Sequence, residues 1–420
     1  MLAKHHFYSV QIKPLSDHVI KVQNRVRNRS TNFHQMQNID QLNNLLEQAQ
    51  ELEEKGDRYV EGQKAYRFYI RSCELYSMAN DIEADLPQVL TNWARILFIL
   101  SEFKNPQTLN EQACIWLRKA IDIYLKLASI EPDNDDVLFN LAQTLHLWVL
   151  KSNSDFYKLN EAIWYLDQMQ GIEKDTPDTL VLKIEILNSI MEFSNDLNEI
   201  QKVFKAVTDL YMEDAKEKNY YYNNNIITRI AESFHVFGFR LHDINGIVDS
   251  SVFSRAIEMI DLVLTRDPNN IEALCDKSDL CTDWADLDIN ANSTDLYTTA
   301  VESLTKASQL DPRNTDIMTR LGDIHLSRLV LYSNDNTRVT CAKNAKVYYQ
   351  NALSTKPIKP QMWPLFHFVK ACTWISDDYS DKAWEMLMLM ADDNNLSIDE
   401  WIKSNEVLDV PFGPFYRYKI

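Results

Sequence analysis

Large apolar residues return at intervals of three and four along most of this chain, the spacing that places them on one face of a helix. Seven such stretches, 89–103, 137–150, 180–193, 226–241, 271–287, 317–331 and 362–375, are each answered by a second: 109–129, 159–169, 197–212, 252–264, 296–309, 339–353 and 383–391. Ahead of them, 41–54 carries Leu42, Leu45, Leu46, Ala49 and Leu52 on one face, and Gly56-Asp57 is expected to end it. An aromatic-rich helix follows over 65–79. No stretch alternates with the period of two that a half-buried strand requires. The expectation is therefore an all-α chain built from helix pairs.

The breaks between pairs are regular. Pro87, Pro132, Pro177, Pro268, Pro312 and Pro357 recur about every 45 residues, with one double interval whose midpoint falls in the loop-like Tyr220–Asn225. Proline lacks an N–H and clashes with the preceding turn, so each marks a boundary. Pro106, Pro360 and Pro364 stand outside this series. Five, eight and twelve residues before four of the prolines lie Leu127, Tyr124 and Ala120; Val263, Ile260 and Ala256; Ala307, Leu304 and Ala300; and Ala352, Tyr349 and Ala345. Small residues at such points let neighbouring helices approach closely while larger ones fill the adjacent space. Six residues after the prolines lie Trp93, Leu138, Leu274, Met318 and Trp363, but Pro177 gives Lys183, which breaks the pattern.

Around Pro312 the sequence runs Ala300, Leu304, Ala307, then Leu310-Asp311-Pro312-Arg313-Asn314, then Met318, Leu321, Gly322 and His325. This resembles the tetratricopeptide repeat, with His325 where tyrosine usually stands, and the resemblance extends over roughly 60–391. The chain departs from that family in period, about 45 residues against the standard of about 34. It departs also at the Gly322 position, which elsewhere holds Ala142, Ser278, Leu97 or His367; half-TPR or HEAT-like units share these longer periods. The resemblance implies an α-solenoid, a right-handed superhelix of helix pairs. The expected organisation is a basic leader over 1–40, the repeat domain over 41–391 and an aromatic cap over 392–420.

Composition narrows this further. Seven glycines in 420 residues disfavour hairpin-rich β folds and glycine-rich phosphate loops. The net charge is −18, against general binding to nucleic acid and in favour of a basic protein partner. The first thirty residues run the other way, with six basic residues and one acid, as a transit peptide, a nuclear signal around Arg25–Arg29, a disordered tail or a stretch pairing with the acidic body would. No run approaches the length of a membrane span. Six cysteines without a C-x-x-C pair are read as reduced thiols. The tail from Val410 to Ile420 holds many large hydrophobes and is expected to pack on the last pair or on a partner.

No catalytic constellation is present: there is no H-E-x-x-H, G-x-S-x-G or Walker motif, and no cofactor is expected. Asp276, Asp279, Asp283, Asp286 and Asp288 cluster, but without the order or the closing glutamate of a calcium loop. A solenoid binds along the face lined by the first helix of each pair. Counting on from the repeat, that face would hold Asp136, Phe139, Gln143 and His146; Glu272, Cys275, Asp279 and Thr282; and Asp316, Thr319, Asp323 and Leu326. A groove carrying Asp279 and Asp323 repels an acidic peptide tail and attracts a lysine- and arginine-rich segment, with strong salt dependence.

At the level of families, the acidic all-helical layout is similar to that of the fungal enhancer-of-translation-termination proteins. That resemblance implies a nuclear adaptor bound to a ribosomal protein or to a prolyl-hydroxylase-type dioxygenase. The expectation is a non-enzymatic adaptor or escort for a basic segment, in the nucleus or alternatively the cytoplasm, with no direct nucleic-acid or membrane partner. A structural subunit of a larger complex and a regulatory subunit of an enzyme are the alternatives.

Overall fold

The computed structural model describes residues 33–59, 63–103, 110–169, 176–218, 223–288, 293–332, 334–354, 362–375 and 384. All regular structure among them is helical. The first thirty-two residues, the helix expected over 383–391 (Trp384 apart) and the tail from 392 to 420 lie outside the described residues.

The chain divides into two compact units at 174/175. Unit 1 contains α1 (Phe33–Arg58), α2 (Gln63–Ile82), α3 (Pro87–Glu102), α4 (Asn110–Ile130), α5 (Asp135–Ser152) and α6 (Lys158–Gln168). Unit 2 contains α7 (Pro177–Phe193), α8 (Leu197–Lys218), α9 (Asn224–Asn245), α10 (Ser250–Arg266), α11 (Ile271–Leu287), α12 (Ser293–Leu310), α13 (Thr315–Ser327), α14 (Asp335–Ser354) and α15 (Met362–Thr373). Within each unit every helix packs on its neighbours in the chain, and in unit 2 the first helices α7, α9, α11, α13 and α15 also meet one another in sequence. This nearest-neighbour stacking of pairs is an α-solenoid.

First helices begin at Pro87, Asp135, Pro177, Asn224, Ile271, Thr315 and Met362, at intervals of 42 to 48 residues. Three junctions repeat one device. In Glu131-Pro132-Asp133-Asn134, Asp267-Pro268-Asn269-Asn270 and Asp311-Pro312-Arg313-Asn314, the asparagine N–H closes a turn on the acidic residue's carbonyl at 3.1–3.2 Å. Proline's fixed φ suits the second position of that turn. The asparagine side chain then caps the next helix, accepting from the N–H of Val137, Ala273 or Ile317. Such a cap contributes about 1 kcal/mol. Pro87 and Pro177 serve differently, as the first residue of a helix, where the missing N–H costs nothing. This explains Lys183: counted from the helix start, the residue matching Leu138 and Leu274 is Leu180, and in α3 it is Leu90, both buried.

The small-and-large register of the second helices is the core. Ala120, Tyr124, Leu127, Ala256, Ile260, Val263, Ala300, Leu304, Ala307, Ala345, Tyr349 and Ala352 are all buried. Each large member contributes roughly 1.5–3 kcal/mol by leaving water. In the last complete pair the fit is closest. A Cβ on Gly322 would lie 2.6–2.8 Å from the ring of Tyr349, so only glycine admits that ring, and the Tyr349 hydroxyl donates to Asp323 Oδ1 at 2.5 Å. The same arrangement joins α1 to α2, where Tyr69 covers Gly56 and its hydroxyl donates to Asp57 at 2.6 Å. In α11 and α12 Tyr297 donates to Asp286, next to Ala285.

Two expectations are corrected. Gly56-Asp57 does not end α1, which starts earlier, at Phe33, and continues to Arg58. Its glycine serves the approach of Tyr69, and a single glycine inside a helix costs only about 1 kcal/mol. The stretch 317–331 is not one helix: α13 stops at Ser327 and a 3-10 turn covers Arg328–Leu331.

Gly322→Ala is expected to destabilise the protein by about 1–2 kcal/mol, because overpacking against the immobile Tyr349 ring exceeds the helix-propensity gain. Urea unfolding followed by circular dichroism measures it; an unchanged or higher midpoint would contradict this account of the pair.

Candidate functional site: the charged inner row of unit 2

The first helices α7, α9, α11 and α13 of unit 2 meet along a narrow row that carries a charged contact at each seam. Between α7 and α9, Glu185 Oε1 lies 3.1 Å from Arg229 Nε. Between α9 and α11, Arg229 Nη2 lies 3.5 Å from Glu272 Oε1, and His235 Nε2 lies 2.8 Å from Asp283 Oδ2. Between α11 and α13, Arg320 Nη1 donates to Asp279 Oδ2 at 2.6 Å. Each arginine also holds an acid of its own helix, Glu232 at 2.8 Å for Arg229 and Asp316 at 3.2 Å for Arg320. Neutral contacts support the α7/α9 seam: Ser233 donates to Asn188 at 2.6 Å, and Arg240 donates to the Ser194 carbonyl at 2.5 Å.

Helical spacing produces the row. Glu272, Asp276, Asp279 and Asp283 fall at intervals of four, three and four, on one face of α11. The sixth residue of α9, α11 and α13 is Arg229, Asp276 and Arg320 in turn, so an acid sits between two cations along the row. Arg229 alone faces Glu185, Glu232 and Glu272, and one guanidinium does not neutralise three carboxylates.

The excess falls on Asp276. No cation among the described residues lies within ion-pair distance of it. Burial, then the charges of Glu272, Asp279 and Glu232, outweigh Arg229 and push its carboxyl up to about 7. Burial raises Asp279 to about 6 despite Arg320, and burial with Glu232 and Glu272 nearby raises Glu185. Burial and the charge of Glu232 likewise raise Glu192. His235 is buried against Phe239 and Phe253, which alone would lower it. The contact with Asp283, short though oblique, together with the charges of Asp279 and Glu232, holds it above the ordinary imidazole value. Among the described residues no group of three His, Cys, Asp or Glu is arranged to hold a metal ion. No described helix is long and apolar enough to cross a membrane.

The residues expected to line a groove are placed as follows. Glu272, Asp279 and Asp316 come together on the inner row, each paired to an arginine. Asp323 turns to α14 and accepts from Tyr349. Cys275 is half-buried, Thr319 bonds the carbonyl of Thr315 within its own helix, and Leu326 is buried in the core with α14 and α15. Asp136, Phe139, Gln143 and His146 all belong to α5 of unit 1, the first exposed, the next two half-buried and His146 buried. The counting used helix positions two, five, nine and twelve; it missed position six, and with it Arg229, Asp276 and Arg320. An alternation of charge at that position, 44 to 47 residues apart, was the available signal.

No protein-family model matches the chain. It is 24% identical over 382 residues to UPF0656 protein C926.02 of Schizosaccharomyces pombe (strain 972 / ATCC 24843), which covers 74% of this chain and 83% of that protein. Among solved structures it is similar to a tetratricopeptide repeat protein from Parabacteroides merdae ATCC 43184, at 12% identity and a TM-score of 0.43 over 77% of this chain and 98% of that one. It is also similar to the S. pombe nuclear import adaptor Nro1, at 12% identity and a TM-score of 0.26 over 79% and 98%. The helix pairs are tetratricopeptide-like, and in α1/α2, α9/α10 and α13/α14 an aromatic ring of the second helix packs against a glycine of the first.

Arg320→Gln is expected to cost on the order of 1–2 kcal/mol, since Asp279 and Asp316 lose their partner in a half-exposed setting. Adding Asp279→Asn should return part of that loss. A thermodynamic cycle of the two substitutions by urea unfolding measures it, and strict additivity would show that the pair is not coupled.

Proposed function

We propose that this protein is a non-enzymatic adaptor whose unit 2 holds a basic segment of a protein partner along its inner row. The observation that supports this reading is Asp276. It is a half-buried carboxylate near Glu272, Asp279 and Glu232, and the nearby Arg229 is already shared among three other acids. An arrangement that keeps surplus charge of one sign in a partly dry row works against folding, and an incoming lysine or arginine relieves it. The position of Asp276 makes it the better landing point than Asp279 or Asp323, whose oxygens are engaged by Arg320 and Tyr349. The finer reading is residence in the nucleus and a part in nuclear import or translation-termination control, through a ribosomal protein or a dioxygenase-type enzyme. It rests on the sequence resemblance to the enhancer-of-translation-termination family.

A scaffold role is a second reading, favoured by a separate observation in unit 1. Phe156, Tyr157 and Trp164 are exposed around α6, the last two by 59% and 55%. Large exposed aromatics of this kind often mark contact surfaces.

A fluorescent lysine- and arginine-rich peptide of about twelve residues tests the adaptor reading by anisotropy. Affinity should fall steeply with added salt. Asp276→Lys should weaken binding about tenfold or more, whereas Glu258→Lys on α10, the same change of net charge away from the row, should leave it within twofold. Equal weakening by both would mean that net charge alone attracts the peptide; absence of binding at low salt would refute the reading.

A further inference from the structure

Every seam between the first helices α7, α9, α11 and α13 is bridged by a charged contact, and every bridge draws on a cation shared with surplus acids. The first helices meet far less extensively across the α9/α11 and α11/α13 seams than each does with its own second helix. The charge balance of the row therefore decides how firmly those seams hold. We propose that the inner row of unit 2 is a pH-responsive zipper, whose seams tighten as the medium turns mildly acidic and loosen as it turns mildly alkaline.

The groups facing the row are known from every packed element. From α7 come Glu185 and Glu192; from α9, Arg229, Glu232, His235 and Arg240; from α11, Glu272, Asp276, Asp279 and Asp283; from α13, Asp316 and Arg320. On the other side of α11, Lys277 is satisfied by Asp261 of α10 at 2.6 Å, while Asp286, held by Tyr297 of α12, is raised to about 6 chiefly by burial and feels the charge of Asp283 in the row. Arg240 is held by Asp243 at 3.1 Å and by the end of α7.

Two kinds of titration act in the same direction. As pH rises through about 6 to 7, Asp279 and then Asp276 and Glu185 add negative charge, and His235 loses its positive charge at the upper end. Deprotonated His235 no longer draws Asp283 across the α9/α11 seam, and ionised Asp276 repels Glu232 across the same seam. These groups interact closely enough to titrate as a set. The sign for stability follows. A carboxyl raised in the folded state binds its proton more tightly there than in the unfolded chain. Its contribution is fully present below its unfolded value near 4 and is lost as pH rises through about 7. His235, also raised, keeps its contribution up to the ordinary imidazole value near 6.5 and loses it as pH rises above that. The seam at α9/α11, which carries both, is the one that opens first.

Hydrogen–deuterium exchange of the full chain at pH 6 and pH 8, corrected for intrinsic exchange rates, tests this without any ligand. Protection of α9 and α11 should fall roughly tenfold between the two, while α12 and α14 stay within about twofold. Asp276→Asn, close in shape to the native residue, should remove at least half of that fall. His235→Gln should leave α9 and α11 already loosened at pH 6. Equal protection at both pH values would overturn the proposal, as would a uniform loss in all helices of unit 2. A fall that persists unchanged in both variants would overturn it as well.

Discussion

One side chain, Arg229, reaches carboxylates carried by three successive first helices, Glu185 on α7, Glu232 on α9 and Glu272 on α11. A repeat stack needs two kinds of contact, one inside each pair and one between pairs. Inside the pairs this chain uses apolar fit. Between α7, α9, α11 and α13 it adds charge to the apolar contacts, and Arg229 and Arg320 are the residues on which the charged contact depends. Charged contacts in a partly dry row are costly to desolvate and worth keeping only when geometry or function requires them.

The apolar part of the architecture is nearly independent of that row. Tyr349 over Gly322 and Tyr69 over Gly56 close their pairs by shape, and each hydroxyl is satisfied by the aspartate that follows the glycine. The Asn caps at 134, 270 and 314 then set where the next pair starts. Such local, sequentially adjacent contacts fix each pair without reference to distant parts of the chain. This leaves the inner face free to carry residues that packing alone would not select.

Most of the helix pairs were legible in the sequence, because a period near 3.6 and prolines at regular intervals are signals of the backbone itself. Lys183 looked like a failure of the register only because proline plays two parts, turn residue at 132, 268 and 312 and first helical residue at 87 and 177. Gly56 was misjudged for a different reason: a glycine that ends a helix and one that admits a ring look alike until the partner, here Tyr69, is known. The groove was half legible. The face of α11 was found from Glu272 and Asp279, but the partners Arg229 and Arg320 lie 43 and 41 residues away from them in sequence, and no local pattern announces which acid each will meet. Asp323 was drawn to the groove by counting, whereas Tyr349 draws it to α14.

The central claim is that the inner row holds more negative charge than its arginines balance. Carbon-13 NMR of the aspartate carboxyl groups, followed through a pH titration and assigned with Asp276→Asn and Asp279→Asn, measures this directly. The account predicts that Asp276 and Asp279 titrate between about 6 and 7, apart from the bulk of the aspartates. Titration of both in the ordinary carboxylate range near 4 would show the row to be balanced, and would contradict the account.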